Sequence, residues 1–196
     1  MTLTLEQQLA VLEAIPKPKR GIFLALATLG VRPSEARVLR MRHWTGDEIE
    51  IRDGAKDRLV NGEIRGPKKQ RAKRNAYVVP LLSQWLNEFV PEKRVRWEPD
   101  GWLFTNPDAE NRTHQWSETA LRRTWASACA RAGLKIGLYE GTKHTLGTLL
   151  KSAGEDDRVI AQVFGHADVR SVLPYARVKN ATVRAALLRL HGGDEK

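Results

Sequence analysis
The hydrophobic period of this chain changes twice, and that change bounds the fold more tightly than any other feature. Up to about residue 41 apolar residues recur at helical spacing. From Glu48 the period is two, with Ile49 and Ile51 alternating with charges as in a half-buried strand. After Pro80 the helical spacing returns. Thr4-Leu5-Glu6-Gln7 has the form of a capping box, and Leu5, Leu9 and Leu12 follow as the apolar stripe of a first helix. Pro16 and Pro18 break that helix. Gly21 to Leu29 is apolar almost throughout and reads as a buried second helix. Gly30 stops it, and Pro33 suits the first position of a third helix running to Met41. Val60 to Arg65 and Tyr77 to Pro80 supply two more strand segments, and a helix follows near 83–89. Beyond a Pro/Trp-rich connector over 91–111, helices are expected at about 117–132, 143–153, 156–164, 168–175 and 180–190. The expected fold class is therefore α+β: mostly helical, with a small three-stranded antiparallel sheet, in one domain.

Charge narrows the partner. The chain of 196 residues carries 33 Lys+Arg against 23 Asp+Glu, a formal net charge of +10. Residues 65–74 read R-G-P-K-K-Q-R-A-K-R, and this one decade holds Arg65, Lys68, Lys69, Arg71, Lys73 and Arg74 without an acid. It lies between the last two strand segments, so the tip of a β-hairpin is expected there. Smaller basic groups sit at Lys17, Lys19 and Arg20, and at Lys93, Arg94 and Arg96. A polyanion partner follows, because each phosphate neutralised releases condensed counterions. Nucleic acid is favoured over a merely solvated loop; from charge alone, RNA-binding and ribosome-associated proteins stay open. No apolar run approaches the roughly 18 residues of a membrane-spanning helix, so no membrane partner is expected. A single cysteine, Cys129, excludes an intramolecular disulfide and a multi-cysteine metal site, which points to a reducing compartment.

Three segments offer groups for phosphate chemistry. Arg32 stands between a Gly turn and a helix start, where a guanidinium beside free N–H groups suits a bidentate grip on phosphate. Glu35, three residues on, is placed to orient that arginine or to cap the helix. Taken alone, Arg32 would read as an ordinary surface turn arginine. Lys143 and His144 open a later helix. In the third segment Gly165-His166 follows an apolar helix, and Tyr175 lies nine residues beyond His166. A lone His is more often structural and a lone Tyr more often core. Their combination with the upstream Arg and Lys demands more than chance.

Five ordered blocks carry a family resemblance: G-V-R-P-S-E-A with downstream L-R-M-R-H-W, the basic hairpin ending V-V-P-L, K-H-T-L-G-T-L-L-K-S-A-G, V-I-A-Q-V-F-G-H, and Y-A-R-V. In these the chain resembles the catalytic domain of tyrosine recombinases, the phage integrase family, from about Leu3 to Leu190. The resemblance implies the family's DNA breaking–rejoining fold and a site-specific recombinase or integrase that cuts and rejoins DNA through a 3′-phosphotyrosine intermediate. It implies that Tyr175 attacks phosphorus in line, freeing a 5′-hydroxyl. Arg32 would stabilise the non-bridging oxygens in the transition state, and His166 would hydrogen-bond the same phosphate. A hairpin lysine would protonate the leaving oxygen: Lys69 first, then Lys68 and Lys73. Arg65, Arg71 and Arg74 would contact the DNA backbone. No metal or other cofactor is implied, since cationic side chains take that role, and the lack of clustered carboxylates argues against a two-metal nuclease.

The sequence departs from the family pattern in two respects. Lys143 stands where a second arginine is expected, and Glu140 where a His is usual. Lysine keeps the charge but loses the planar two-donor fork. Glutamate near the scissile phosphate would repel it unless paired with Lys143 or Arg32. His144 reads as a packing or supporting residue. The other departure is length: Met1 lies almost at the start of the catalytic domain, so 1–196 reads as a single catalytic domain with the N-terminal core-DNA-binding domain absent. Two alternatives stand beside the recombinase: a catalytically weakened DNA-binding remnant of an integrase, and a type IB-like topoisomerase. Double-stranded DNA is the expected partner, with a homo-tetramer on DNA assembled through the C-terminal helix around Val183, Leu187 and Leu188. The expected location is cytoplasmic, associated with the nucleoid.

Overall fold
The computed structural model describes residues 2–52, 58–60, 63–65, 74–91, 98–109, 114–165 and 180–191. Helix α1 (Leu5–Ala14) begins at the expected capping box: Gln7 N donates to Thr4 Oγ1 at 3.1 Å, and Thr4 N donates to Gln7 Oε1 at 3.0 Å. Its buried face, however, is Gln8, Val11 and Leu12, with Leu5 and Leu9 only half-buried. Pro16 ends α1 and at the same time caps α2 (Lys17–Thr28), which accommodates Pro18 in its first turn where no N–H is needed. Every residue from Gly21 to Thr28 is buried, so α2 is the central strut. Phe23 on it meets Trp116 edge-on at 5.5 Å and stacks on Trp125 at 6.2 Å.

The third helix is shorter than its sequence suggests. α3 spans only Pro33–Ala36, and a 3₁₀ turn follows at Met41–His43. The cause is a tertiary competitor for the backbone. Leu103 N donates to Leu39 O at 2.9 Å and Met41 N to Gly101 O at 3.0 Å, while Arg40 bridges to Trp102. Buried Arg37 adds a side-chain tie, Nε to Trp116 O at 2.6 Å. The Pro/Trp-rich connector thus supplies the hydrogen bonds that a longer helix would have made internally.

Strands β1 (Glu48–Ile51), β2 (Arg58–Val60), β3 (Glu63–Arg65) and β4 (Arg74–Tyr77) form two antiparallel pairs, β1 with β4 and β2 with β3. The expected three-stranded sheet is therefore corrected to two two-stranded ladders among the described residues. Segment 60–65 is not one strand: Val60 ends β2 and Glu63–Arg65 forms β3, which pair with each other, residues 61 and 62 lying outside the described residues, and β4 pairs with β1, setting Ile51 opposite Arg74. Ile49, Ile51 and Ala76 are buried while Glu48 and Glu50 stay half-exposed, as the period-two pattern requires. Of the basic decade, Arg65 closes β3 and Arg74 opens β4; residues 66–73 lie outside the described residues.

Helix α4 (Pro80–Phe89) packs on α2 through Trp85, whose Nε1 donates to Lys17 O at 2.7 Å. α5 (Glu118–Arg131) lies against α1. A π-helical turn (Glu140–His144) leads into α6 (Thr145–Ser152), followed by α7 (Asp157–Val163). The helix expected over 168–175 lies outside the described residues. The last helix, α8 (Asn180–His191), packs on α6 and α7 within the same chain. Its Leu187 and Leu188 are buried there, and Arg189 Nη2 meets the buried Glu155 Oε1 at 2.6 Å. Those two leucines, expected at an interface between copies, are spent on intrachain packing. Among the described residues no helix is long and apolar enough to cross a membrane.

His191 closes α8 with Nε2 buried and without a hydrogen-bond partner among the described residues, and burial lowers its pKa to about 4. The folded chain therefore holds His191 neutral while the unfolded chain protonates it near pH 6.5. Below pH 6.5 the unfolded state binds the extra proton, so stability falls until about pH 4 and then levels off. The loss is about 3 kcal/mol. Urea unfolding of wild type and His191→Asn across pH 4–7 should show the slope difference; parallel profiles would refute it.

Candidate active site
Four chain segments meet around the ring of Phe164, the residue that ends α7. The first is the turn between α2 and α3. Gly30 has φ +64°, and a Cβ there would stand 2.7 Å from Phe164 Cδ1 and 2.9 Å from the carbonyl oxygen of Val163. Only a glycine takes this backbone at such close approach without strain. The tight turn throws Arg32 to the position just before α3. Glu35 then reaches back, and its Oε2 accepts from the Arg32 backbone N–H at 2.9 Å. Glu35 is buried at 6% exposure, so the sequence reading of a turn-capping carboxylate is the observed geometry. The Arg32 side chain is half-buried, with Nε wholly covered and no hydrogen-bond partner among the described residues.

The second segment is the start of β4. Arg74 Nη2 lies 3.4 Å from Glu35 Oε2 and 3.4 Å from Gly30 O. Its side chain is 14% exposed, turned inward rather than out along the strand. The third is Gly165 (φ +58°), whose α-carbon lies directly beneath the Arg74 side chain, leaving no room for a Cβ.

The fourth is the π-helical turn. A five-residue hydrogen bond, Thr145 N to Glu140 O, replaces the usual four-residue repeat and turns Lys143 inward. Lys143 is buried at 4% exposure, its Nζ 4.7 Å from the centre of the Phe164 ring. Backbone groups displaced by the widened turn are met by side chains. Gln8 Nε2 donates to Gly141 O at 2.8 Å, Thr142 Oγ1 to Leu138 O at 2.6 Å and Thr145 Oγ1 to Glu140 O at 2.8 Å. Lys143 and Phe164 also form part of the wall of a cavity of about 500 Å³, together with Tyr139, His144, Lys151 and Ile160.

The matching family model, described as the phage integrase family, covers residues 2–182. The chain belongs to the phage integrase family. Tyrosine recombinase XerA of Pyrococcus furiosus is 28% identical over 98% of this chain and 65% of its own length. Tyrosine recombinase XerD of Lacticaseibacillus casei is 23% identical over 88% of this chain and 54% of its own. The chain thus spans between about half and two thirds of the length of these relatives. Among solved structures, the XerA recombinase shares the fold at a TM-score of 0.65, with 20% identity over 100% of this chain and 66% of that one. The integrase of the Tn1549 transposon, solved in complex with circular intermediate DNA, matches at 0.65, with 19% identity over 97% of this chain and 67% of that one.

For this integrase-family chain, the structure brings Arg32, Glu35, Lys143 and Arg74 into one neighbourhood. Glu140 is not among them. It is exposed, with its carboxylate folded over Gly137 on the outer side of the turn, while Lys143 three residues on is buried. His144 is exposed, edge-on to Tyr139 at 4.9 Å. Arg65 is described only as the last residue of β3. Lys68, Lys69, Arg71, Lys73, His166 and Tyr175 lie outside the described residues. Sequence reasoning passed over two contributors. Phe164 stood inside the V-I-A-Q-V-F-G-H block without being singled out, and Gln8 was not considered; Gln8 falls three and four residues before Val11 and Leu12, which was its only signal of burial.

The dependence on the Gly30 turn is direct. Gly30→Ala should destabilise the chain by about 1–3 kcal/mol, combining the positive-φ penalty with the clash against Phe164. Chemical denaturation measures it, and unchanged stability would mean that the turn does not bear on α7.

Proposed function
We propose that this chain cuts and rejoins double-stranded DNA as the catalytic domain of a site-specific recombinase or integrase, by way of a 3′-phosphotyrosyl intermediate. The observation that carries the reading is Arg32. Its guanidinium Nε is buried without a hydrogen-bond partner among the described residues, on a turn whose one carboxylate is already engaged by the Arg32 backbone N–H and by Arg74. A buried N–H of this kind is costly unless an acceptor arrives. A phosphate oxygen is such an acceptor, and Lys143 lies in the same neighbourhood to share its charge. The basic decade beside β4 supports a DNA backbone as the source of that phosphate. So does the likeness of this fold to that of an integrase solved with DNA.

In the proposed reaction the Tyr175 hydroxyl gives up its proton to water, and its oxygen bonds to phosphorus as the bond to the 5′-oxygen breaks. Arg32 and Lys143 stabilise the charge gathering on the non-bridging oxygens, and His166 hydrogen-bonds the same group. Lys69 delivers a proton to the departing 5′-oxygen, with Lys68 and Lys73 as its neighbours in the run. Rejoining reverses these steps, so the energy of the phosphodiester is kept and no nucleotide is consumed. Glu35 serves as a structural cap of the Arg32 turn. Assembly to a tetramer on paired sites belongs to the proposal, with contacts other than Leu187 and Leu188, which this chain buries itself.

A nicked suicide duplex carrying the cognate site should trap a covalent protein–DNA adduct, lost in Tyr175→Phe. No adduct on a verified site would favour a DNA-binding remnant, and relaxation of supercoiled plasmid without recombination a topoisomerase. Lys143→Ala should slow adduct formation roughly 10²–10³-fold. Lys143→Arg should match or exceed the wild-type rate in single-turnover assays; a large loss would show a pocket shaped to a lysine over the Phe164 ring.

A further inference from the structure
Glu35 is a carboxylate buried three residues from the arginine that the proposed reaction needs free. A buried carboxylate recruits the nearest cation, because leaving it unpaired is costly. Arg37, two residues on, spends its Nε on the Trp116 carbonyl; Arg32, three residues back on the turn that Glu35 caps, is the cation at risk, and a guanidinium bonded to Glu35 would be partly neutralised and aimed back into its own turn. The structure solves this conflict with a second guanidinium. Arg74 arrives from β4, sets Nη2 3.4 Å from Glu35 Oε2, and reaches Gly30 O at the same distance. The carboxylate takes the Arg32 backbone N–H and the Arg74 side chain, and the Arg32 Nε is left for another acceptor. Arg74 also lies across Gly165, the residue that precedes His166 in the chain.

We propose that Arg74 is a positioning residue of the active site, which satisfies Glu35 so that the Arg32 guanidinium remains available to phosphate. The proposal rests on the strand-transfer reading above. It assigns Arg74 a role different from that of a DNA-backbone contact in the basic run. The register of β4 makes the placement specific: Arg74 pairs opposite Ile51 at the end of the β1–β4 ladder, where the strand passes the Gly30 turn.

The test is a charge-rescue cycle with Arg74→Met, Glu35→Gln, the double variant and Arg74→Lys, read as single-turnover cleavage of a nicked suicide duplex at saturating protein. Arg74→Met should cleave about tenfold or more slowly, because Glu35 then captures Arg32. The double variant removes the capturing charge and should recover most of that rate, and Arg74→Lys should lie between. A merely structural role for Arg74, or a direct contact to phosphate, predicts no recovery in the double variant. That result overturns the proposal, as does a wild-type rate in Arg74→Met. If Arg74→Met does not fold, the double variant against Glu35→Gln alone decides: equal rates support the proposal, and a tenfold deficit refutes it. A second readout needs no cleavage. The Arg32 Nε–H resonance in ¹⁵N spectra should shift with inorganic phosphate in wild type and in the double variant but not in Arg74→Met. Should wild type form no adduct while this pattern holds, the strand-transfer reading fails and the role of Arg74 stands. An Arg74→Met resonance that still shifts with phosphate overturns that role.

Discussion
The contact between Phe164 and Gly30 is the constraint on which the rest of the site depends. It is a close approach of an aromatic edge to a backbone that has no side chain, at a turn with positive φ. Because the ring fills that space, the end of α7 is pinned to the α2–α3 turn, and two segments more than a hundred residues apart share one position. The same ring lies against Gly147 on α6 and beneath the Lys143 ammonium. One side chain thereby sets the spacing between the arginine turn, the lysine turn and Gly165. Packing at this density transmits displacement, so the cationic groups of the site are positioned by a wholly apolar contact.

Around that contact the structure handles buried charge by pairing and by covering. Glu35 meets Arg74, Glu155 meets Arg189, and Arg37 spends its Nε on a carbonyl. Burial lowers the pKa of Arg37, with nearby Glu118 opposing the shift. Arg184, at the surface of α8, lies over the ring of Tyr77, which raises its pKa through a hydrogen bond. These ties stitch α8 to β4 and to the α6–α7 loop. The last helix therefore buttresses the side of the molecule that carries Arg74.

Much of this was legible residue by residue. The capping box at Thr4, the alternation at Ile49 and Ile51 and the all-round burial of Gly21 to Thr28 are local patterns, and local patterns survive folding when nothing competes with them. Arg32 and Glu35 were legible for a related reason, since a Gly-x-Arg-Pro turn with an acid three residues on encodes its own cap. Where a distant segment competes, local reading fails. The third helix stops at Ala36 because 101–103 takes its backbone, and Val60 and Glu63–Arg65 belong to two strands because they pair with each other and not with β1 or β4. Leu5 and Leu9 yield the inner face of α1 to Gln8 because the π-helical turn leaves the Gly141 carbonyl in need of a donor.

By itself the sequence determined the helical frame with its short strand insert and the family, and it named the cations here proposed to meet a phosphate. Those properties follow from periodicity, from turn chemistry and from ordered motifs, all written over a few residues at a time. Only the tertiary structure decided which way those cations face. Glu140 is turned out and Lys143 in because one π-helical hydrogen bond rotates the turn, a shift that residue spacing does not record. Arg74 is drawn from the basic run to Glu35 because strand register carries it past a buried carboxylate. A charge in a sequence is only a sign. Its partner is set by which buried group of opposite sign the fold brings within reach.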